Sequence, residues 1–336
     1  METAKLRTIG LNLVMAGMAG LLIAGCGRDK SPEAKSTGQT QSKSPAPVPE
    51  LVSTPSPVQG DPSTSQVTVE KPAPPVAASY AEAEAAYFDG RYAEAAGLFQ
   101  SYTAAHPDNV IGHYMLGLSL WKDGKGKEAE VAFNRTLELK PTHVKSLTNL
   151  ARVLLDEGRA EEALPLINRA VDIDPGNGDA LRVRGRAYHN LGMAEQAIDS
   201  YRKAIALNDQ DTWALNNLGL VLIETGRPEE AVAPLARATR IKSGVAVFHN
   251  NLGIALEQAG RYGAAARAFT AALEADSSYS KATTNLARVE ALKEDPGLAE
   301  LDLTALGDGF RVESVPVPEP QAERVEERVS DPSASR

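Results

Sequence analysis

The 336-residue sequence predicts an all-α fold: an α-solenoid of six helix hairpins closed by a capping helix, between an N-terminal tether and a C-terminal tail both expected to be disordered. Three columns predict it. Gly90, Gly124, Gly158, Gly192, Gly226 and Gly260 stand 34 residues apart without an insertion. Ala95, Ala129, Ala163, Ala197, Ala231 and Ala265 keep the same register. Phe99, Phe133, Ile167, Tyr201, Leu235 and Phe269 follow each alanine by four. Between these columns apolar residues recur every three to four positions, the period of an amphipathic helix. A unit copied in phase six times is the mark of stacked repeats.

Residues 1–25 read as an export signal. Lys5 and Arg7 give a short positive region, and Ile9 to Gly25 is an apolar run of about 17 residues, shorter than a membrane span. The run ends Ile23-Ala24-Gly25-Cys26, and Cys26 is the single cysteine of the chain. This motif resembles the lipobox of bacterial lipoprotein precursors. The resemblance implies cleavage before Cys26 and lipid on its thiol, and Gly27 in place of Asp implies sorting to the outer membrane where a source has one. Several acyl chains together hold a protein stably on a membrane. Residues 26–75 then form the tether. Ser, Pro, Thr and Gln dominate it, as in Ser44-Pro45-Ala46-Pro47, and it carries too little apolar surface to offset its ordering entropy.

The repeats occupy 76–294, with units starting near 76, 110, 144, 178, 212 and 246 and a cap from 280. In each unit a small residue (Ala83, Gly117, Ala151, Gly185, Gly219, Gly253) lets the first helix approach its neighbours. The column glycine suits a left-handed residue ending that helix. The alanine leaves room for the second helix, and the large residue four positions on is expected to fill the space between adjacent units. Pro107, Pro141 and Pro175 close the first three units, while Asp209, Ser243 and Ser277 take that place in the last three. Pro165 and Pro234 lie further into second helices and are expected to bend their first turns. Ser280 to Glu294 repeats the first helix without a partner and reads as a cap. The tail, 295–336, has ten Asp and Glu against four Arg and is expected to be disordered; the apolar alternation of Leu298 to Leu303 and Phe310-Arg311-Val312 leaves a docking segment or strand-like clasp on the scaffold as the alternative.

Net charge is −9, which argues against nonspecific nucleic-acid binding, since that needs a basic face. No catalytic or metal-binding motif appears: no HExxH, no P-loop, no GxSxG and no Cys/His cluster. His113 and His249 share one register position, which points to packing. The reading is therefore of a protein without enzymatic activity and without a cofactor or metal.

The columns resemble those of the tetratricopeptide repeat (TPR) family, over about 219 residues and at that family's own period. The resemblance implies that the first helix of each unit, helix A, lines a concave groove. Groove positions then fall into three zones. The first is aromatic, with Tyr80, Tyr87, Phe88, Tyr114 and Trp121. The second is cationic, with Lys145, Arg152, Arg182, Arg186 and His189. The third is rich in amides, with Asn216, Asn217, Asn250, Asn251 and Asn285, flanked by Trp213, Lys281 and Arg288. The sixth position of the units holds Asn149, Asn217, Asn251 and Asn285, interrupted by Met115 and Val183. An amide offers two donors and an acceptor, so a row of amides can hold an extended chain by its backbone. The row resembles the asparagine ladder of the O-linked N-acetylglucosamine transferase superhelix, without the transferase domain. The arginines can take carboxylates by bidentate bonds.

These readings lead to a lipid-anchored extracytoplasmic scaffold whose groove binds an extended segment of a partner protein. By resemblance to lipidated TPR pilotins, the process is assembly of a cell-envelope machine. The alternative is a structural or self-associating protein whose groove is filled by its own tail or by a second copy.

Overall fold

The computed structural model describes residues 78–312. The signal segment, Cys26, the whole tether, and 313–336 lie outside the described residues. Seven A helices alternate with six B helices. The A helices are α1 (Tyr80–Phe88), α3 (Val110–Lys122), α5 (Val144–Asp156), α7 (Gly178–Asn190), α9 (Thr212–Glu224), α11 (Ala246–Gln258) and α13 (Ser280–Glu290). The B helices are α2 (Tyr92–Ala105), α4 (Gly126–Leu139), α6 (Ala160–Ile173), α8 (Ala194–Leu207), α10 (Pro228–Ile241) and α12 (Tyr262–Ala275). A last short helix, α14 (Leu303–Gly309), follows them.

Each hairpin turns in one way. The six column glycines have φ between 72° and 85°. At the first turn the Arg91 N–H reaches back to the Ala86 carbonyl at 2.9 Å and the Gly90 N–H to the Tyr87 carbonyl at 3.1 Å. These two bonds satisfy carbonyls that the helix end would leave bare. The longer-range bond repeats from Lys125 to Leu120, Arg159 to Leu154, Met193 to Tyr188, Arg227 to Leu222 and Arg261 to Leu256. The closing turn holds its register too. The B helices end at Ala105, Leu139, Ile173, Leu207, Ile241 and Ala275, with or without the closing proline. Pro165 and Pro234 lie inside α6 and α10, which run on through them.

Side chains cap the first five A helices. Asn109, His143, Asn177 and Asp211, again 34 residues apart, accept from Gly112, Ser146, Ala180 and Ala214 N–H groups. Ser79 and Glu82 form a reciprocal capping box on α1. His113 and His249 donate from Nε2 to the carbonyls of Pro107 and Ser243, at 2.9 and 2.8 Å, and so tie α3 and α11 to the turns before them.

The large column residues differ from the expectation. Phe99, Phe133, Ile167, Tyr201, Leu235 and Phe269 are all fully buried. They reach into their own hairpin, a placement the sequence reading did not include. A Cβ at Gly117 would stand 2.7 Å from the Phe133 ring, and one at Gly185 2.6 Å from the Tyr201 ring. The small column is therefore the seat for the large one, and each hairpin is locked as a unit.

The tail departs further from the sequence reading. Residues 295–312 do not form a disordered tail. Leu301, Leu303, Phe310 and Val312 pack against the solenoid core, and α14 lies on α10. Gly307 permits this approach, because a Cβ there would meet the Arg237 backbone nitrogen at 3.0 Å and the Ala236 carbonyl carbon at 3.1 Å. Acidic, proline-flanked composition suggested disorder, but four apolar side chains and one glycine at the contact decide otherwise. No helix among the described residues is long and apolar enough to cross a membrane.

Candidate functional site

The backbones of successive A helices approach each other along the whole stack, from α1 with α3 to α11 with α13, while those of successive B helices stay apart. The A side is therefore the narrow side and the stack curves around it. The groove positions inferred from the sequence lie on these helices.

One rule links them laterally. A residue bonds the residue 35 positions away, one repeat plus one. Asn149 Nδ2 donates to the Tyr114 hydroxyl at 3.3 Å. Asn251 Nδ2 donates to Asn216 Oδ1 and Asn285 Nδ2 to Asn250 Oδ1, both at 2.9 Å. Lower on the helices, Trp121 Nε1 donates to Asp156 at 3.2 Å, and the His189 ring meets Glu224 at 2.6 Å. The fifth position of one A helix thus faces the sixth of the next, and the twelfth faces the thirteenth.

The amides are consequently not a row pointing outward. Asn149, Asn216, Asn217, Asn250 and Asn251 are buried and Asn285 is half-buried. The structure brings Asn216, Asn217 and Asn251 together into one chain, because Asn216 Nδ2 also donates to Asn217 Oδ1 at 3.3 Å. Asn149 stands apart, between Tyr114 and Arg152, which donates to its Oδ1 at 2.7 Å. Met115 and Val183 break the series as buried apolar residues. The chain has two loose ends. Among the described residues no hydrogen bond engages Asn217 Nδ2 or Asn251 Oδ1, and neither atom is fully buried. One end offers donors and the other an acceptor, and both reach the surface. Trp213 stands beside this chain on α9, half-buried, with its ring edge-on to Phe248 of α11 at 5.0 Å.

The cationic zone is neutralised from within. Arg152 and Arg182 both bond Asp179, and Arg182 Nε donates to Asp211 at 3.0 Å. Arg186 pairs with Asp156 at 2.8 Å. The side chains of Arg152, Arg182 and Arg186 are only 17%, 26% and 19% exposed, so the carboxylates occupy the places an acidic ligand would take. Asp156, Asp179, Asp211 and Glu224 were missed from the sequence. They stand in three different columns, and only the 35-residue offset between facing positions would have found the first and last.

In the aromatic zone Tyr114 packs against Phe133 and edge-on to His143 at 5.0 Å, and burial pushes its phenol up from the ordinary value. Lys122 lies over the Trp121 ring at 5.1 Å. Tyr80 rests on Phe99 and Tyr102 and belongs to the core of the first hairpin. Phe88 alone is strongly exposed, at 75%. Among the described residues no group of three or more His, Cys, Asp or Glu is placed to hold a metal ion.

Family models decide the class. Tetratricopeptide repeat models match residues 80–144 and 250–306, 120–187 and 154–199, and 212–242, and a TPR repeat model matches 185–226. The chain is a tetratricopeptide repeat protein. No curated protein sequence matches it. Among solved structures, the TPR stack is similar to the one titled "Crystal structure of APC/C hetero-tetramer Cut9-Hcn1", with a TM-score of 0.57 and 16% identity over 62% of this chain and 41% of that one. It is similar to pilF of Pseudomonas aeruginosa, with a TM-score of 0.50 and 19% identity over 54% of this chain and 82% of that one. YrrB, titled a TPR protein with an unusual peptide-binding site, aligns with a TM-score of 0.46 and 20% identity over 56% of this chain and 97% of that one. These likenesses describe the fold. TPR stacks are protein-binding scaffolds.

Proposed function

We propose that the protein is a non-catalytic, membrane-anchored extracytoplasmic adaptor whose inner face holds an extended segment of a partner protein. One observation carries this reading: the Asn216–Asn217–Asn251 chain ends in a donor at Asn217 and an acceptor at Asn251, neither bonded within the described residues nor fully enclosed. A peptide backbone offers the complementary pair at every residue. Contact by backbone makes the site tolerant of sequence, with Trp213 supplying apolar surface alongside. The neutralised arginines disfavour an acidic segment as the ligand.

The Ile23-Ala24-Gly25-Cys26 motif supports the anchor and an envelope location, on the outer membrane of a two-membrane source. Assembly of a pilus, secretin or outer-membrane machine is the process this architecture fits by its combination of lipobox, tether and TPR stack. Of the alternative, a groove filled by the chain's own tail, residues 295–312 give no support, since they lie on α10, a B helix.

Site-specific photocrosslinking in intact cells tests the adaptor reading. A crosslinker at Lys281, at the edge of the amide zone, is expected to capture one protein through one segment, mapped by mass spectrometry. The same crosslinker at Lys127, on α4, is expected to capture none. Equal capture from both positions would remove the groove from the account. Cys26→Ser is expected to abolish palmitate labelling and move the protein to the soluble fraction; unchanged fractionation would remove the anchor.

A further inference from the structure

The segment 294–312 does more than cover apolar surface. It joins two helices whose backbones do not otherwise approach each other. At α12, Glu294 accepts from the Gly263 N–H and the Ala299 carbonyl accepts from Arg261, both at 2.7 Å. At α10, Asp308 pairs with Arg240 at 2.8 Å and Gly307 lies against the Ala236–Arg237 backbone. Among the described helices the backbones of α10 and α12 do not approach each other. The strap is thus a direct link between the fifth and sixth repeats on their B side.

The same two repeats carry the amide chain on their A side, across the seam between α9 and α11. Each hairpin is internally locked, by Leu235 seated on Gly219 in the fifth and Phe269 seated on Gly253 in the sixth. Two rigid hairpins with one joint behave as a lever. Fixing the separation of α10 and α12 fixes the angle of the joint, and with it the separation of α9 and α11. A bond of 2.9 Å between Asn251 and Asn216 tolerates little change in that angle.

We propose that residues 294–312 form a clamp that sets the angle between the fifth and sixth repeats and so holds the inner amide chain in register. Releasing the clamp opens the joint and separates Asn251 from Asn216. That this regulates a ligand rests on the peptide reading above; the joint itself does not. The strap is suited to reversible release. Residues 291–300 are all exposed, α14 is seven residues long, and segments with few buried contacts open first.

The test uses the mature full chain. Gly307→Leu drives a side chain into the α10 backbone and is expected to speed hydrogen exchange at 303–309 roughly tenfold or more. Fluorine NMR of 5-fluorotryptophan protein separates Trp213, which straddles the α9–α11 seam against Phe248, from Trp121. The Trp213 signal and the Asn251 side-chain amide signal are expected to shift in Gly307→Leu while the Trp121 signal stays. Asp308→Arg is expected to do the same more weakly, and Asp308→Arg with Arg240→Asp to restore the parent spectrum. A released strap with unmoved Trp213 and Asn251 signals overturns the clamp, and so does a Gly307→Leu strap that stays protected. No ligand enters these readings, so failure of the peptide proposal would leave them intact.

Discussion

Asn251 donates its side-chain amide to the side-chain oxygen of Asn216 at 2.9 Å, across the seam between two repeats, and Asn216 passes a bond on to Asn217. All three are less than a tenth exposed. The amides that look like a ligand-binding row in the sequence therefore also hold the stack together. Burial makes each bond costly to leave unmade.

Asn251→Ala leaves a buried acceptor on Asn216 without its partner. The expected loss of stability is about 1–3 kcal/mol. Asn216→Ala combined with Asn251→Ala is expected to cost less than the sum of the single changes, because the pair is removed as a unit. Urea unfolding of the four proteins measures this coupling, and strict additivity would deny the bond.

The seat of each large residue gives a second expectation. Gly117→Ala places a methyl 2.7 Å from the Phe133 ring, in a fully buried site. The expected cost is about 1–3 kcal/mol from overpacking. In a Phe133→Ala background the same change is expected to cost almost nothing, since the obstacle is gone. Thermal melts of both backgrounds decide it.

His143 gives a pH dependence. Burial, aided by Lys140 and Lys145, holds its imidazole below the ordinary value of 6.5. Its Nδ1 also accepts from the Ser146 N–H at 3.2 Å, which requires the unprotonated nitrogen. Below pH 6.5 the unfolded chain takes up the proton first, so this contribution is complete above that value and is lost as pH falls from it towards the folded value. His143→Asn puts in the residue that caps the equivalent helices at Asn109 and Asn177. It is expected to flatten the difference in urea midpoint between about pH 7.5 and about pH 5.5.

Asp179 neutralises two guanidiniums. Asp179→Asn is expected to change stability by under about 1 kcal/mol, because the carboxylate is half-exposed. Its effect on recognition is expected to be larger. Arg152 and Arg182 become free to take a carboxylate, so hexaglutamate is expected to bind the variant, in a salt-sensitive way, and not the parent. Titration by fluorescence anisotropy reads this directly.

The fold was legible because the hairpin repeats in the chain itself. Gly90 and its five copies, the alanines and the large column all follow the 34-residue period, and each has a local steric cause. The cap from Ser280 was legible for the same reason. The groove was only half legible. The sequence placed the amides on the A helices, but facing positions differ by 35 residues, an offset set by how one unit rotates on the next. Asp156 beneath Trp121 and Asn216 beneath Asn251 follow from that rotation. The strap was legible only as an alternative, from the apolar residues of 298–303 and 310–312, because its decisive contact, Gly307 on Ala236, belongs to no repeated column.

The central claim is that the open ends of the amide chain hold a partner's backbone. The most direct measurement is the affinity of the segment captured from Lys281 for the parent and for Asn217→Ala, by isothermal titration, with helical circular dichroism checked in both. The account predicts a loss of roughly fivefold or more, the loss of one net hydrogen bond of about 1 kcal/mol, with the helical signal intact. Equal affinity for the two proteins would contradict it.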